Sequence, residues 1–367
     1  MSLPTLRTTP QGTVPFSHPC LIGATGTLGR KILDALLDQF HATSISLILR
    51  KKPEAGGIRQ HSFPVDIRAH YVSDYADSEE VTKALQGCDV LISALSHKAS
   101  HCELILVKAA IAAGVRRYMP SEYTVNIDDA EYRTAGTSNP ISKGRIEWAD
   151  QLRQIAVDEE KIEFTTIVPC AFIDYCLETG WWGFNIKKQT VPTKLAQANS
   201  PRTGCTLDFT AEAVAMSLRM PPERTRNKRI HIAETTYTGK DILSALERVT
   251  SSSEWTITPD ASTQSSTTET DPQPDPQPDP QAQSSDAEYE DFVITKNFDD
   301  SPSGYLPDGL EWNKDGEFVI RRKTLDQIVE MIIRGPEDID QEAFNGAHAQ
   351  YQMPVSSETF KGAEREG

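Results

Sequence analysis

The segment LIGATGTLGR, residues 21–30, constrains this chain more than any other. Gly23, Gly26 and Gly29 recur at every third position. Before them stands a short apolar run, Pro19 to Ile22, and after them Leu28, Ile32, Leu33, Leu36, Leu37 and Phe40 recur at helical spacing. The pattern predicts strand, glycine turn, helix. Glycines there let the backbone turn tightly and approach a bulky anion. The helix that follows offers it unpaired N–H groups and the positive end of its dipole. A diphosphate fits that description, with Gly23, Thr25, Gly26, Thr27, Leu28 and Gly29 as its expected contacts.

The first half of the chain continues the alternation. Strands are expected at Ser44–Leu49, Ala69–Val72, Asp89–Ala94, Val115–Met119 and Phe164–Val168, with helices at Cys102–Ala113 and from Asn139 to about Ile155. Asn139 and Pro140 supply an N-cap and a first-turn proline. Strands separated by helices predict an α/β fold, a Rossmann-type doubly wound parallel sheet, followed by a smaller C-terminal α+β lobe. Helices at Thr210–Leu218, Thr238–Val249 and Leu325–Ile333 and a strand at Arg229–Ala233 complete the reading, with ordered structure expected to resume at Asp291–Thr295. The expected organisation is a flexible arm over 1–17, a dinucleotide domain over 18–170, a substrate lobe over 171–335 and a tail over 336–367. A disordered insertion at about 251–289 interrupts the lobe, since its Ser, Thr, Gln and DPQPDPQPDP repeat cannot bury enough apolar surface to offset ordering entropy.

Open parallel sheets bind ligands at the carboxyl ends of their strands. At the end of the second strand an NAD-preferring site offers a carboxylate to the ribose hydroxyl, whereas this chain has Arg50, Lys51 and Lys52. Cations there pair with a 2′-phosphate, so NADP(H) is the expected cofactor. Ser93, Ala94 and Leu95 end the fourth strand, and Ser121 and Glu122 leave the fifth in GVRRYMPSEY, so these residues are expected to face the same crevice.

The glycine turn, the SAL segment, AAIAAGVRRYMPSEY and Lys143 together resemble the NmrA-like and isoflavone-reductase-like branch of atypical short-chain dehydrogenases, of fungal type, over roughly residues 18–250. The resemblance implies a Rossmann domain with a small substrate lobe, NADPH as reductant and an aromatic natural product as substrate. It also implies an active-site lysine, matched by Lys143 in NPISKGRIEWA. Ordinary short-chain dehydrogenases carry a tyrosine four residues earlier, where this chain has Asn139. Lys143 is therefore expected either to act as acid or base itself, its pKa lowered by a partly apolar site, or to orient the nicotinamide ribose. Phe172 and Tyr175, in an aromatic stretch with Trp181, Trp182 and Phe184, are expected to line the substrate site; Cys170 stands where plant isoflavone reductases tend to have Asn.

The expected activity is hydride transfer from NADPH to a carbonyl or activated double bond of a small apolar or aromatic molecule, in secondary metabolism. The alternative is an NmrA-type NADP-binding redox sensor that acts through a protein partner. A net charge of -16 argues against nucleic acid and anionic membranes as partners. Ten carboxylates and no Lys or Arg fall within 249–295, so the remainder is only mildly acidic. No run approaches the roughly 20 apolar residues of a membrane helix, residues 1–17 do not resemble a secretory signal, and the six dispersed cysteines suggest neither metal ligation nor disulfides. A cytoplasmic enzyme is expected, with a homodimer left open.

Overall fold

The computed structural model describes residues 16–51, 63, 66–260, 302–311 and 320–335. Its first half alternates β1 (Pro19–Ile22), α1 (Thr27–Gln39), β2 (Ser46–Arg50), β3 (Arg68–Val72), α2 (Ser78–Ala84), β4 (Val90–Ser93), α3 (Glu103–Ala112) and β5 (Arg117–Met119). Then come α4 (Ala130–Gly136), α5 (Pro140–Arg153) and β6 (Glu163–Val168). The lobe begins with β7 (Ala171–Phe172), α6 (Ile173–Glu178), β8 (Thr190–Pro192), α7 (Thr193–Gln197) and β9 (Arg202–Cys205). The chain continues through α8 (Leu207–Arg219), α9 (Pro222–Thr225), β10 (Lys228–His231), β11 (Thr235–Tyr237), α10 (Gly239–Thr250) and β12 (Thr256–Thr258), and α11 (Leu325–Arg334) is the last described helix.

Seven strands form the main sheet in the order β10-β6-β5-β4-β1-β2-β3. Every pairing in it is parallel. Strands buried on both faces need continuous apolar runs, and β1, β2 and β4 have them. One face packs against α1 and α8 through Leu21, Leu47, Ile92, Ile32, Leu36, Val214 and Leu218. The other packs against α2, α3 and α5 through Ile22, Ile48, Val81, Leu106, Val107, Tyr118 and Trp148. Strand order reverses beside β1, which opens a crevice above the carboxyl ends of β1 and β4.

The lobe returns to this sheet. The strand expected at Arg229–Ala233 is β10, which lies parallel beside β6 in the main sheet, and α8 packs along α1 with Lys31 2.9 Å from Asp208. Sheet and lobe are therefore interleaved along the chain. A separate lobe core forms from Trp182, Phe184, Tyr237, Ile242, Leu246 and Ile328.

The arm expected to be flexible and the insertion expected to be disordered are each ordered at one margin. Phe16 is buried because its ring lies under two guanidiniums, 4.0 Å from that of Arg116 and 4.8 Å from that of Arg117. Arg117 is itself buried and bonds Glu163 at 2.6 Å and Thr225 at 2.7 Å, tying β5 to β6 and α9. At the other margin, residues 251–260 hold β12, which pairs with β8 because Trp255 supplies the buried apolar side chain that the later repeat lacks. The rest of the low-complexity segment, the stretch 291–295 where structure was expected to resume and the tail over 336–367 lie outside the described residues, as does the arm before Phe16.

Candidate cofactor site and its surroundings

The glycine turn follows from what a side chain would meet there. Gly23 has φ +88°, and a Cβ on it would lie 2.5 Å from the Ala94 carbonyl oxygen. A Cβ on Gly29 would lie 2.0 Å from the Gly23 carbonyl oxygen, so α1 can approach β1 this closely only without one. Gly26 donates its N–H to the Gly23 carbonyl at 2.9 Å and stands as N-cap of α1. No side chain caps that helix and no acid occupies its first turn. Thr25, Gly26 and Thr27 are exposed, which leaves the first N–H groups and the positive end of the dipole facing the crevice. Leu28 turns inward onto the core, so its side chain supports the turn and only its backbone remains for a ligand.

At the end of β2, Arg50 is exposed, with its guanidinium 5.6 Å from the centroid of the Tyr75 ring. Lys51 lies 3.6 Å from Glu80, which partly neutralises it. Glu80 in turn accepts the Ser73 N–H, which lowers its pKa and keeps it charged. Arg50 therefore presents the stronger unopposed charge beside the turn. Lys52 lies outside the described residues.

At two of the expected contacts, Ser93 and Glu122, the side chain is buried against protein partners. Ser93 is fully buried and donates its hydroxyl to Glu103 at 2.7 Å. Glu122 is buried because Arg229 reaches it from β10, and Arg229 also lies 3.1 Å from Asp128. These side chains hold the strand ends in place. Ala94 and Leu95 remain at the rim, where the Leu95 carbonyl accepts the Ser121 hydroxyl at 2.7 Å and so ties the ends of β4 and β5 together.

Glu103, beneath that rim, gave no signal in the sequence. Its carboxylate accepts from Ser93 and from the Tyr118 hydroxyl, yet burial pushes its pKa up to about 7. Tyr123, quoted in the PSEY segment but given no role there, has a buried phenolic oxygen with no hydrogen-bond partner among the described residues.

The capping of α5 is as expected, with Asn139 accepting the N–H groups of Ile141 and Ser142, so its side chain is engaged as a cap where a tyrosine acid would otherwise stand. Because α5 must run back to the start of β6, its first turn sits at the carboxyl edge of the sheet, and Lys143 stands at that edge. Its side chain is 57% exposed and lies 3.8 Å from Glu147. The side chain is thus exposed at the sheet edge. Of the aromatic stretch, Trp182 packs on Tyr237 with ring centroids 5.6 Å apart and Phe184 is fully buried, so both belong to the lobe core. Phe172 is half-buried and Tyr175 exposed. Cys170 adopts φ +63°, a left-handed conformation that Asn also tolerates, so the residue type there reflects the backbone at least as much as any substrate.

A doubly wound sheet with an uncapped helix, a glycine turn and a cation at the end of β2 defines a dinucleotide-binding protein of the Rossmann type. Residues 20–257 match the NmrA-like family, and the chain belongs to it. It is 30% identical to oxidoreductase aprR of Aspergillus flavus over 236 residues, 64% of this chain and 74% of that protein. It is 32% identical to the bifunctional pinoresinol-lariciresinol reductase of Linum album over 173 residues, 44% of this chain and 50% of that protein. The alignment with that reductase thus takes in about half its length. Among solved structures, AtPrR2 with NADP+ and (+)pinoresinol superposes with a TM-score of 0.57 at 19% identity, covering 88% of this chain and 100% of that one. Citrobacter sp. triphenylmethane reductase complexed with NADP(H) gives 0.57 at 17% identity, covering 86% and 100%. At these identities the structural likeness establishes the fold.

Proposed function

We propose that the chain is an NADP(H)-dependent oxidoreductase that reduces a carbonyl or activated double bond of a small apolar or aromatic molecule. The observation that carries this reading is the pairing of the uncapped N-terminus of α1 with Arg50 at the end of β2. Those two features hold a diphosphate and a 2′-phosphate. The absence of Cβ atoms at Gly23 and Gly29 and the lack of acids in the first turn fit the same ligand. Homologues named as reductases and an oxidoreductase support the reaction class. An aromatic substrate in secondary metabolism is proposed from the half-buried Phe172 and exposed Tyr175 and from the pinoresinol named for the reductase relatives.

When bound, the reduced nicotinamide supplies the hydride. The chain's part is to fix the dinucleotide on the glycine turn, hold the rim of β4 and β5 rigid through Ser121, and shelter the acceptor between sheet and lobe. Lys143, at the carboxyl edge, is the group proposed to deliver or relay a proton to the developing oxyanion, its exposure giving it access to solvent for reprotonation.

Titration of NADPH and NADH tests the cofactor. The parent should prefer NADPH, and Arg50→Ala should weaken NADPH about tenfold or more while changing NADH less than about twofold, since a charge-assisted phosphate contact is lost. Equal losses, or no preference in the parent, would remove the assignment. Lys143→Ala should lower turnover about 100-fold or more with NADPH affinity within about threefold of the parent. Full turnover in that variant, measured against aromatic ketones, quinones and enones, would dismiss the lysine.

A further inference from the structure

Tyr123 stands two residues beyond Ser121, in the loop that leaves β5 at the open edge of the sheet. Its ring packs on the core cluster that also receives Leu28 from the first turn of α1 and Ala94 from the end of β4. The ring thus borders the same core as Leu28 and Ala94. Its neighbours in the loop are both engaged, Ser121 with the Leu95 carbonyl and Glu122 with Arg229. The phenolic oxygen of Tyr123 is buried and has no hydrogen-bond partner among the described residues. A buried hydroxyl left unpaired costs roughly 1–3 kcal/mol, a penalty that a ligand oxygen would remove on arrival. Burial, with the Glu103 carboxylate adding to it, pushes the phenol's pKa well up, so the group stays protonated and is a donor.

The strand order fixes which half of a dinucleotide this donor meets. With the diphosphate over Gly26, at the end of β1, and the 2′-phosphate beside Arg50, at the end of β2, the adenosine half lies toward β2. The nicotinamide half must then extend the other way, over β4 and β5, where Tyr123 stands. We infer that the Tyr123 hydroxyl donates a hydrogen bond to an oxygen, of the carboxamide or the ribose, in the nicotinamide half of the bound dinucleotide. This inference rests on the cofactor reading above. It gives the chain a phenolic donor at a place in the sequence unrelated to position 139, where Asn139 is engaged in capping α5.

The test compares the parent with Tyr123→Phe by calorimetric titration of NADPH and of adenosine 2′,5′-bisphosphate, which lacks the nicotinamide half, together with melting of the ligand-free proteins. The variant should bind NADPH about tenfold more weakly, the worth of one hydrogen bond to a buried donor. It should bind the bisphosphate within about twofold of the parent and melt no lower, since only an unpaired hydroxyl is gone. Unchanged NADPH affinity would overturn the assignment. Unchanged affinity with reduced turnover would overturn it too, by placing the donor on the substrate, and equal weakening of both ligands would do so by revealing a structural role. A parent that binds neither ligand fails the cofactor reading itself, whereas a parent that binds both while the variant matches it fails only Tyr123.

Discussion

Replacing Gly29 with alanine should cost about 3 kcal/mol or more of stability and abolish measurable dinucleotide binding. The added methyl would meet the Gly23 carbonyl oxygen at 2.0 Å and its carbon at 2.7 Å, both backbone atoms that no rotamer change can move. That carbonyl also accepts the Gly26 N–H that closes the turn. Relief therefore requires α1 to lift from β1 or the turn to open, and either movement displaces the N–H groups meant for the diphosphate. Overpacking a well-filled site costs about 1–3 kcal/mol where side chains can yield, and a backbone obstacle belongs at or above that range. The gain of about 1 kcal/mol in helix propensity from alanine does not offset it. Gly144→Ala is the control, because Gly144 lies within α5 and a Cβ there would have open space, so it should be neutral or mildly stabilising. Chemical denaturation and NADPH titration of both variants measure the difference, and a Gly29→Ala protein that bound NADPH like the parent would refute the close-approach argument.

The second large effect concerns pH. Glu103 is almost wholly buried, and burial raises its carboxyl from the ordinary 4.5 to about 7, although hydrogen bonds from Tyr118 and Ser93 pull it down. The folded protein therefore holds this proton more tightly than the unfolded chain. Below about pH 4.5 both states are protonated and the fold bears no penalty from the group. Between 4.5 and 7 the unfolded chain releases its proton first, so stability falls as pH rises, and above 7 the loss is complete. The shift corresponds to a loss on the order of 3 kcal/mol. Glu103→Gln removes the titration and keeps one carbonyl oxygen as acceptor, while its NH2 takes the place of the other oxygen and donates to whichever of the Ser93 and Tyr118 hydroxyls stands there. Its stability should match the parent near pH 5 and exceed it by about 2 kcal/mol at pH 8, as read from denaturation curves across that range. Asp174, raised to about 6, and Glu212, raised to about 7, titrate in both proteins, so the difference between the curves isolates Glu103. Parallel curves would show that the carboxyl is not perturbed.

What the sequence disclosed was local. The glycine turn and the Asn139 cap each depend on residues within a few positions of one another, and each stands in the structure as read. The family was legible for the same reason, through GVRRYMPSEY and its neighbours. The contacts that decide which side chains reach the crevice are long-range. Glu122 is claimed by Arg229, 107 residues away, and Arg117 bonds Thr225, 108 residues away. No periodicity in either segment announces such a partner. Polar residues at strand ends were therefore expected to face a ligand when two of them, Ser93 and Glu122, serve as braces. The strand β10 was recognised as a strand, yet nothing in RIHIA tells that it joins the edge of β6. Composition misled at residues 251–260, where Trp255 alone supplies enough burial to anchor β12 in a polar stretch.

The return of the chain to its first sheet bears on how the cleft can open. A lobe joined by one linker swings as a rigid flap. Here the backbone passes from sheet to lobe after β6, returns through α8 against α1, runs along the sheet edge as β10 and leaves again into β11. Each passage is a separate tether, and a wide swing would have to tear α8 from α1 or β10 from β6. Opening at the carboxyl edge of the sheet is thereby left to side chains and short loops at the rim rather than to a closing hinge.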